Sequence, residues 1–364
     1  MEDQGTLAYM LRPGTLELRH YAVPRDVEPG ALLLRVVQTN VCGSDLHVFE
    51  GRHPHVKSGG LGHEMVGRIA RLGAGVDRDS AGEPVRVGDR VVPVYTSSCG
   101  RCQSCSRGDP EHCATGFRRF GRVDEAPHFH GSTFATHYYL HPDQKFYRVP
   151  DRVSDAAASA ANCALSQVLY GLDLVEVGVD ETVVVLGAGG LGVLATAIAR
   201  KRGARVIVLD RVASRLEVAR AFGACETVEV DRFAGADELR AQVDALTGGG
   251  ADVVVEASGV PAVFAQGLYY LRTKGRYAVM GTISPGLTTD FDPGTLVRRS
   301  VTLHGINRYP PDYLRRALRF LAAHEGEFPF ARLFDAQFPL EQVQLALDKS
   351  RRREVQRAAI RVAP

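Results

Sequence analysis

Four cysteines lie within one short segment and follow the spacing C-x2-C-x2-C-x7-C. Four thiolates this close together can surround one zinc ion tetrahedrally, and such a closed site stabilises a loop because it leaves no position for a substrate. The first two steps resemble a bacterial ferredoxin motif but the last does not, and disulfides are a further alternative. The spacing therefore predicts a structural zinc site formed by Cys99, Cys102, Cys105 and Cys113.

A second set of potential metal ligands is scattered along the chain. Cys42 opens the segment Cys42–His47 (CGSDLH), His63 stands in Gly62–Glu64 (GHE), and Cys163 lies much further on. Two cysteines and one histidine, with a fourth position left for water or substrate, are typical of catalytic zinc. Spacing alone cannot join residues so far apart, since a lone cysteine is usually a small core residue.

A glycine-rich turn at Gly187–Gly192 (GAGGLG) fits the pattern G-x-G-x-x-G. The turn follows an apolar strand and opens a helix, and Asp210 stands just after the next strand. These features together form the dinucleotide-binding fingerprint. The glycines allow a tight turn and close approach of the pyrophosphate, and the helix N-terminus attracts phosphate. The predicted cofactor contacts are Gly187, Gly189, Gly190, Leu191, Gly192, Asp210 and Arg215.

Asp210 also predicts which cofactor is preferred. Its carboxylate can accept a hydrogen bond from a ribose 2′-hydroxyl and repels a 2′-phosphate, so we expect NAD rather than NADP. Arg211 and Arg215 lie close by in the sequence and keep NADP as an alternative.

Two kinds of architecture must position these residues. Before Pro150, short strands broken by Gly and Pro indicate a compact β-rich domain. After it, strands alternate with helices, which indicates parallel βαβ units in a doubly wound sheet. The predicted strands are Ala31–Gln38, Met65–Leu72, Arg86–Pro93, Thr182–Leu186, Arg205–Leu209, Asp252–Glu256, Tyr277–Gly281 and Val301–Ile306. The predicted helices are Gly190–Arg202, Ser214–Phe222 and Pro261–Leu271.

Composition limits the class of protein. The length of 364 residues favours two domains, and 45% hydrophobic with 24% charged residues is a globular composition. A net charge of +2 gives no electrostatic support for binding nucleic acid or an anionic membrane. No signal-peptide pattern and no apolar run long enough to span a bilayer is visible. We therefore expect no nucleic-acid or membrane partner, and a cytoplasmic location.

The motifs CGSDLH, GHE, the four cysteines and the glycine-rich turn occur in this order along essentially the whole chain. Together they resemble the zinc-containing medium-chain dehydrogenase/reductase family, of the alcohol dehydrogenase type. The resemblance implies an α/β fold with a GroES-like β-rich catalytic domain at 1–153 and 307–364, and a Rossmann dinucleotide-binding domain at 154–306. It further implies two zinc ions per chain, and a homodimer or homotetramer that associates near Val301–Ile306.

The same resemblance implies roles for individual residues. Cys42, His63 and Cys163 would hold the catalytic zinc, with Glu64 as an alternative or transient ligand. Asp45 would orient a ligand such as His63.

The resemblance also implies a proton relay. Ser44 would take the proton of the alcohol, and His47 would pass it towards solvent. The expected reaction is hydride transfer between NAD(H) and an alcohol/carbonyl pair, most simply a secondary or functionalised alcohol.

Other functions remain open at this point. The enzyme could work as an aldehyde or ketone reductase in a biosynthetic pathway, or as a polyol dehydrogenase. Polyol-type relatives use a glutamate from a Glu-Pro pair where this chain has Cys163, which counts against a sorbitol-like substrate. A catalytically silent NAD(P)-binding protein and a zinc-stapled nucleic-acid-binding module are alternatives of other classes.

Three weaker signals complete the analysis. Arg118, Arg119 and Arg122 follow the four cysteines and could bind an anionic substrate, although a solvated loop is the simpler interpretation. His53–His55 could line the pocket or form an exposed turn. Cys225 is expected to be a small buried residue.

Overall fold

The computed structural model describes residues 4–54, 56–281 and 286–362. The chain folds into two compact units. The first, here the β-rich unit, comprises Met1–Ser166, Pro310–Glu325 and Phe330–Pro364. The second, here the α/β unit, comprises Gln167–Tyr309 and Gly326–Pro329.

The strands are numbered in chain order. They are β1 (Gln4–Arg12), β2 (Thr15–Ala22), β3 (Leu32–Asn40), β4 (Gly59–Gly60), β5 (Met65–Leu72), β6 (Arg90–Ser97), β7 (His137–Leu140), β8 (Gln144–Arg148), β9 (Thr182–Leu186), β10 (Arg205–Asp210), β11 (Glu226–Glu229), β12 (Ala251–Glu256), β13 (Leu271–Val279), β14 (Thr302–Gly305), β15 (Ala336–Pro339) and β16 (Ala358–Arg361).

The α-helices are numbered in the same way. They are α1 (Gly43–Phe49), α2 (Gln103–Arg107), α3 (Asp155–Ser159), α4 (Ser166–Leu174), α5 (Gly190–Lys201), α6 (Ala213–Ala221), α7 (Ala236–Thr247), α8 (Pro261–Tyr269), α9 (Pro293–Arg299), α10 (Asp312–His324) and α11 (Val343–Arg351). A π-helical turn spans Ala161–Leu165. Among the described residues, no helix combines the length and the apolar character needed to cross a bilayer.

The β-rich unit is built around β3. Its larger sheet has the order β15-β16-β3-β5-β6-β8, with β7 also paired to β3, and β2-β1-β4 form a smaller sheet. Along β3, buried side chains on both faces show that the strand is covered on both sides. One core cluster joins the first strand, helix α1 and the C-terminal segment through Met10, Phe49, Leu347 and Ile360.

The α/β unit holds a parallel sheet in the order β11-β10-β9-β12-β13-β14. Strand β9 is almost entirely Val and Leu, because a central parallel strand is buried on both faces. From β9 the chain adds β10 and β11 on one side of the sheet, and then adds β12, β13 and β14 on the other side. This is the switch point at which a doubly wound sheet opens a crevice for a ligand.

Strand β6 begins later than the sequence predicted. Residues predicted as the start of Arg86–Pro93 form a turn, in which the Asp89 carboxylate accepts the Arg86 N–H (2.9 Å). Gly88 has a φ of +94°, which ends any extended conformation there. The strand therefore occupies Arg90–Ser97.

Two other predictions were wrong. Strand β13 begins at Leu271 rather than Tyr277 and ends before Gly281, because exposed side chains in its first half hid the pattern of a buried strand. Cys225 is exposed, since it precedes β11 at the edge of the sheet while only its backbone pairs with Val206. The ends of the other predicted strands and helices are shifted by two residues or fewer.

Candidate active site

Helix α1 fixes Cys42 and His63 through one carboxylate. Cys42 is the N-cap residue, and its N–H donates to Asp45 Oδ2 (2.9 Å). Asp45 Oδ1 lies 3.1 Å from His63 Nδ1, and Asp45 is 1% exposed. A proton on Nδ1 is held by this contact, so Nε2 is left as the ligand atom.

Cys163 is presented by the π-helical turn. The Leu165 N–H donates to the carbonyl of Ala160 (3.4 Å), five residues back, and this inserts one residue into the turn. Such π-bulges are frequent at functional sites because they re-aim a side chain without ending the helix. Both Cys163 and its neighbour Asn162 are buried, and the Asn162 side chain donates to the His63 carbonyl (3.0 Å).

The distances within this group match a single metal ion. Cys42 Sγ lies 3.9 Å from Cys163 Sγ, and His63 Nε2 lies 3.4 Å from Cys163 Sγ. Tetrahedral zinc with ordinary bond lengths separates two sulfurs by about 3.8 Å, and a sulfur from a nitrogen by about 3.6 Å. The three side chains therefore fit zinc in both chemistry and geometry.

The surroundings of Cys42 and His63 shift the pKa values of both side chains. The hydrogen bond from Cys163 holds the pKa of the Cys42 thiol well below its usual range, against the opposing effect of burial. Burial lowers the pKa of His63, but the Asp45 carboxylate and Cys42 outweigh it and hold that pKa well above its usual range. The lowered pKa of Cys42 favours the thiolate that a metal ion would require, and the imidazole of His63 would have to lose a proton to bind one.

Glu64 completes the donor cluster but is committed to a buried ion pair. Its carboxylate oxygen lies within 4.8 Å of the other donor atoms. It pairs with the buried guanidinium of Arg357 and accepts a hydrogen bond from Asn40 (3.2 Å). Burial raises the pKa of Glu64 to about 7, although Arg357 opposes the shift.

Arg357 and Asn40 were not identified from the sequence. The sequence offers only a weak sign that these two residues belong to the site. Arg357 directly precedes the apolar strand β16, and Asn40 ends the buried strand β3. A buried charge at a strand boundary can be recognised only once its partner is known.

Ser44 and His47 lie on helix α1 beside the ligands. Ser44 Oγ is 3.5 Å from His63 Nε2. His47 is half-buried three residues further along the helix, and burial together with Arg52 lowers its pKa. Of the residues named in the CGSDLH motif, Ser44 and Asp45 therefore lie against His63, and His47 follows on the same helix.

The four cysteines form a separate cluster. Their sulfur atoms lie within 4.8 Å of one another, and Cys102 Sγ is 3.9 Å from Cys113 Sγ. Although burial opposes the shift, the Thr115 hydroxyl and the Cys99 N–H lower the pKa of Cys113 to about 6. Four sulfurs at tetrahedral spacing fit zinc, and no substrate position remains among them.

The glycine-rich turn lies at the switch point of the parallel sheet. Gly187 has a φ of +101°, and α5 begins at Gly190. A Cβ on Gly192 would lie 1.8 Å from the Gly187 carbonyl oxygen, so only glycine permits this turn, whereas a Cβ on Gly189 would meet open space. The turn therefore leaves its backbone accessible at the helix N-terminus.

Asp210 ends β10 next to this turn. Its carboxylate accepts the N–H groups of Ala188 (2.6 Å) and Val212 (2.9 Å), which fixes its orientation. Arg211 points to Asp231 instead, at 2.9 Å. Arg215, on α6, is partly exposed.

Comparison with known proteins agrees with this geometry. Residues 28–151 match the family described as alcohol dehydrogenase GroES-like domain, and residues 190–323 match zinc-binding dehydrogenase. The chain is 34% identical over 332 residues to 5-exo-hydroxycamphor dehydrogenase of Pseudomonas putida, covering 89% of each protein. It is 32% identical over 314 residues to a sorbitol dehydrogenase of Halalkalibacterium halodurans, covering 83% of this chain and 84% of that protein. An alcohol dehydrogenase structure from Thermotoga maritima has a TM-score of 0.90 at 26% identity, covering 99% of this chain and 100% of that chain.

The chain belongs to the zinc-containing medium-chain dehydrogenase/reductase family. It is a zinc-dependent oxidoreductase of the alcohol dehydrogenase type, with a GroES-like domain and a Rossmann-type domain. The predicted family, fold class and reaction class are thereby confirmed. The two alternatives of another class, the catalytically silent protein and the nucleic-acid-binding module, are not supported.

In this family member, aromatic side chains extend outward from the ligand His63. The Tyr95 ring contacts the His63 ring edge-on, with centroids 5.3 Å apart. The ring centroid of Phe117 lies 6.1 Å from that of Tyr95, and the ring centroid of Phe120 lies 6.0 Å from that of Phe117. The sequence analysis missed Tyr95, because the predicted strand ended at Pro93 and left this residue in a loop.

The contacts of Arg118, Arg119 and Arg122 do not favour the predicted binding of an anionic substrate. Arg118 and Arg119 both pair with Asp143, at 2.8 Å and 2.7 Å, and Arg122 pairs with Glu125 at 3.2 Å. Asp143 and Glu125 offset two of the three positive charges that were considered for an anionic substrate.

The histidine-containing turn gives no support for a pocket role. The His53 ring accepts the Val56 N–H (3.0 Å), which is a local turn contact. His55 lies outside the described residues.

Proposed function

We propose that the enzyme interconverts an alcohol and its carbonyl compound at a zinc ion held by Cys42, His63 and Cys163. The observation that carries the proposal is the convergence of these donors at tetrahedral distances, 3.9 Å between the sulfurs and 3.4 Å from sulfur to nitrogen. Zinc bound there supplies a Lewis acid that favours the ionised form of a substrate hydroxyl. Glu64 is proposed as an alternative ligand only when it leaves Arg357.

The protein's own residues provide orientation and proton transfer. Ser44, 3.5 Å from His63 Nε2, accepts the substrate hydroxyl proton as its own hydroxyl proton passes on towards His47, and both transfers run the other way in the reverse reaction. His47 lies three residues on, and burial lowers its pKa, which favours the neutral imidazole that can accept a proton. Asp45 holds the imidazole of His63 in the ligating tautomer.

NAD is the proposed cofactor, and it would supply the hydride acceptor. Asp210 is held by two backbone N–H groups beside the glycine-rich turn, where its remaining lone pairs suit a ribose hydroxyl. The pairing of Arg211 with Asp231 removes one cation that could have attracted a 2′-phosphate. Both features favour NAD over NADP.

The proposed substrate is a bulky, largely apolar secondary alcohol. Tyr95, Phe117 and Phe120 form an aromatic wall that begins at the ligand His63, and Phe117 is 37% exposed. The relative at 34% identity is named for hydroxycamphor, whose hydroxyl sits on a rigid hydrocarbon ring. A polyol is the second candidate, because another relative is named sorbitol dehydrogenase.

A second zinc ion is proposed at Cys99, Cys102, Cys105 and Cys113, where it stabilises the segment that carries α2. This gives two zinc ions per chain, one catalytic and one structural. Support comes from the closeness of the four sulfurs, which lie within 4.8 Å of one another, with 3.9 Å between those of Cys102 and Cys113.

A homo-oligomer is proposed through β14. This strand is the edge of the parallel sheet among the described strands, and an edge strand presents unpaired backbone groups to a second copy. Apolar side chains are exposed around it, including Leu303 (40%), Phe291 (39%) and Val297 (78%).

His63→Ala and Cys42→Ser test the catalytic assignment. Each variant is expected to lose turnover and one zinc ion per chain while NADH binding persists, because the cofactor site is formed by other residues. Cys225→Ser is the matched control, since Cys225 is exposed and belongs to neither cysteine cluster. Turnover is followed by NADH absorbance, zinc by elemental analysis and NADH binding by fluorescence. Full activity or an unchanged zinc content in both variants contradicts the proposal.

A further inference from the structure

Three loops of the α/β unit meet at the carboxyl edge of its sheet with hardly any side chain between them. Strands β9, β12 and β13 are parallel neighbours, so the loops that follow them share this edge. A Cβ on Gly187 would lie 3.0 Å from Ser258 Cα, and a Cβ on Gly281 would lie 2.6 Å from Gly259 N. The three loops are therefore in direct backbone contact.

Glu256, the last residue of β12, ties two of these loops together. Its Oε1 accepts the Ser258 N–H (2.7 Å), the Ser258 hydroxyl (2.7 Å) and the Gly259 N–H (2.8 Å). Its Oε2 accepts the Gly281 N–H (3.2 Å) from the loop after β13. The side chain is fully buried, at 0% exposure.

The carboxylate presents an acceptor to both loops, although the Gly281 N–H also donates to the Glu256 backbone carbonyl (3.0 Å). Burying a charge is costly unless hydrogen bonds compensate it, and Glu256 receives four of them. Glutamine has the same shape, but its amide group would place N–H against the N–H of Gly281 or Ser258. The choice of residue therefore depends on holding both loops at once.

The position of Glu256 relates it to one half of a dinucleotide. A doubly wound sheet binds a dinucleotide across its switch point, one mononucleotide on each side. The turn Gly187–Gly192 and Asp210 belong to the β9–β10 side, which receives the adenosine half. Ser258, Gly259 and Gly281 follow β12 and β13 on the other side, which receives the nicotinamide half.

We propose that Glu256 is a positioning residue that fixes the loops receiving the nicotinamide half of the cofactor. It acts through the backbone of Ser258, Gly259 and Gly281, and it leaves the adenosine half to the glycine-rich turn and Asp210. The proposal rests on the proposed dinucleotide-binding function of the α/β unit.

Binding of NADH and of ADP-ribose, measured by calorimetry, tests this assignment. ADP-ribose contains the adenosine half and the pyrophosphate but lacks the nicotinamide. Glu256→Gln is expected to weaken NADH binding about tenfold, since it sets an amide N–H against a backbone N–H inside a buried site, and to change the ADP-ribose Kd less than about twofold. Gly281→Ala adds a methyl group that separates the same two loops without changing charge. It is also expected to weaken NADH binding while leaving ADP-ribose binding nearly unchanged. Glu226→Gln, an exposed glutamate at the opposite end of the sheet, is the control.

The outcomes separate this inference from the function on which it rests. Wild-type protein that binds neither NADH nor ADP-ribose refutes dinucleotide binding itself, and the inference falls with it. The role of Glu256 alone is overturned if the wild type binds both ligands and both variants lose NADH and ADP-ribose affinity equally. It is also overturned if neither variant loses affinity. If Glu256→Gln fails to fold, Gly281→Ala and Ser258→Ala carry the same comparison.

Discussion

At the scale of single residues, Asp45 couples two proposed metal ligands that lie in different segments. One oxygen caps helix α1 at the backbone of Cys42, and the other orients the ring of His63. Because a buried carboxylate with two partners has little freedom, a change at either partner shifts the other. The donor geometry therefore depends on a residue that itself contributes no ligand atom.

The ion pair between Glu64 and Arg357 is a different kind of single-residue feature. Both side chains are almost fully buried, at 0% and 7% exposure. A buried ion pair adds little net stability, but loss of one partner costs about 3–5 kcal/mol because it leaves a charge uncompensated. The pair keeps the carboxylate of Glu64 beside the donor set in a fixed orientation.

The preference for NAD is a prediction about one side chain. Asp210→Ala removes the acceptor for a ribose hydroxyl and the repulsion of a 2′-phosphate, so the KM for NAD is expected to rise about tenfold while the KM for NADP rises less or falls. Steady-state kinetics with both cofactors measures the change. Asp231→Asn is the companion variant: it releases Arg211 and is expected to lower the KM for NADP while leaving the NAD value unchanged. Equal changes with both cofactors in Asp210→Ala contradict the ribose contact.

At the scale of elements, the segment of the four cysteines depends on sulfur rather than on a core. Helix α2 has only five residues and, within the described chain, buries none of its side chains. A short helix without apolar contacts is unstable by itself. The proposed zinc ion would therefore provide most of the folding free energy of this segment.

Removing one thiolate tests this dependence. Cys102→Ser is expected to lose one zinc ion per chain and to lower the Tm by roughly 5–10 °C, a cost of about 2–4 kcal/mol. Trypsin is expected to cut at Arg101 or Arg107 in the variant much faster than in the wild type. Ser104→Ala, in the same helix, is the control. Unchanged zinc content and unchanged cleavage in Cys102→Ser show that the segment is ordered without metal.

How far the sequence predicts these elements depends on how local their cause is. Strand β9 and the four-cysteine segment are specified by neighbouring residues, and both could be predicted directly. The meeting of Cys42, His63 and Cys163 depends on the antiparallel pairing of β3 with β5 and on a π-helical turn, which no local pattern specifies. There the resemblance to a family provided the connection.

Residues whose role depends on a distant partner were missed for the same reason. Arg357, Tyr95 and Glu256 are recognisable only from the side chains and loops that surround them. Cys225 was predicted wrongly because a small apolar residue before a strand is often buried, whereas the edge position of β11 exposes it.

At the scale of the whole molecule, the edge strand β14 predicts association between copies of the chain. Introducing charge with Val297→Glu and Leu303→Glu is expected to shift the protein from dimer or tetramer to a smaller species, because carboxylates cannot be buried unpaired at an interface. Light scattering coupled to size exclusion measures the mass. Val87→Glu, at an exposed valine of the β-rich unit (60%), is the control. A monomeric wild type, or an unchanged mass in the double variant, contradicts the proposed interface.

The last strand has a consequence for how the protein is made. Strand β16 pairs with β3, and Arg357 just before it reaches Glu64 across 293 residues of sequence. At a translation rate of about 5–20 residues per second, the ribosome exposes these partners roughly 15–60 s apart. The whole span Gln167–Tyr309 emerges in that interval and is free to fold first. Throughout that interval the nascent chain carries Glu64 without its cationic partner, and the proposed zinc pocket is completed only when Arg357 arrives.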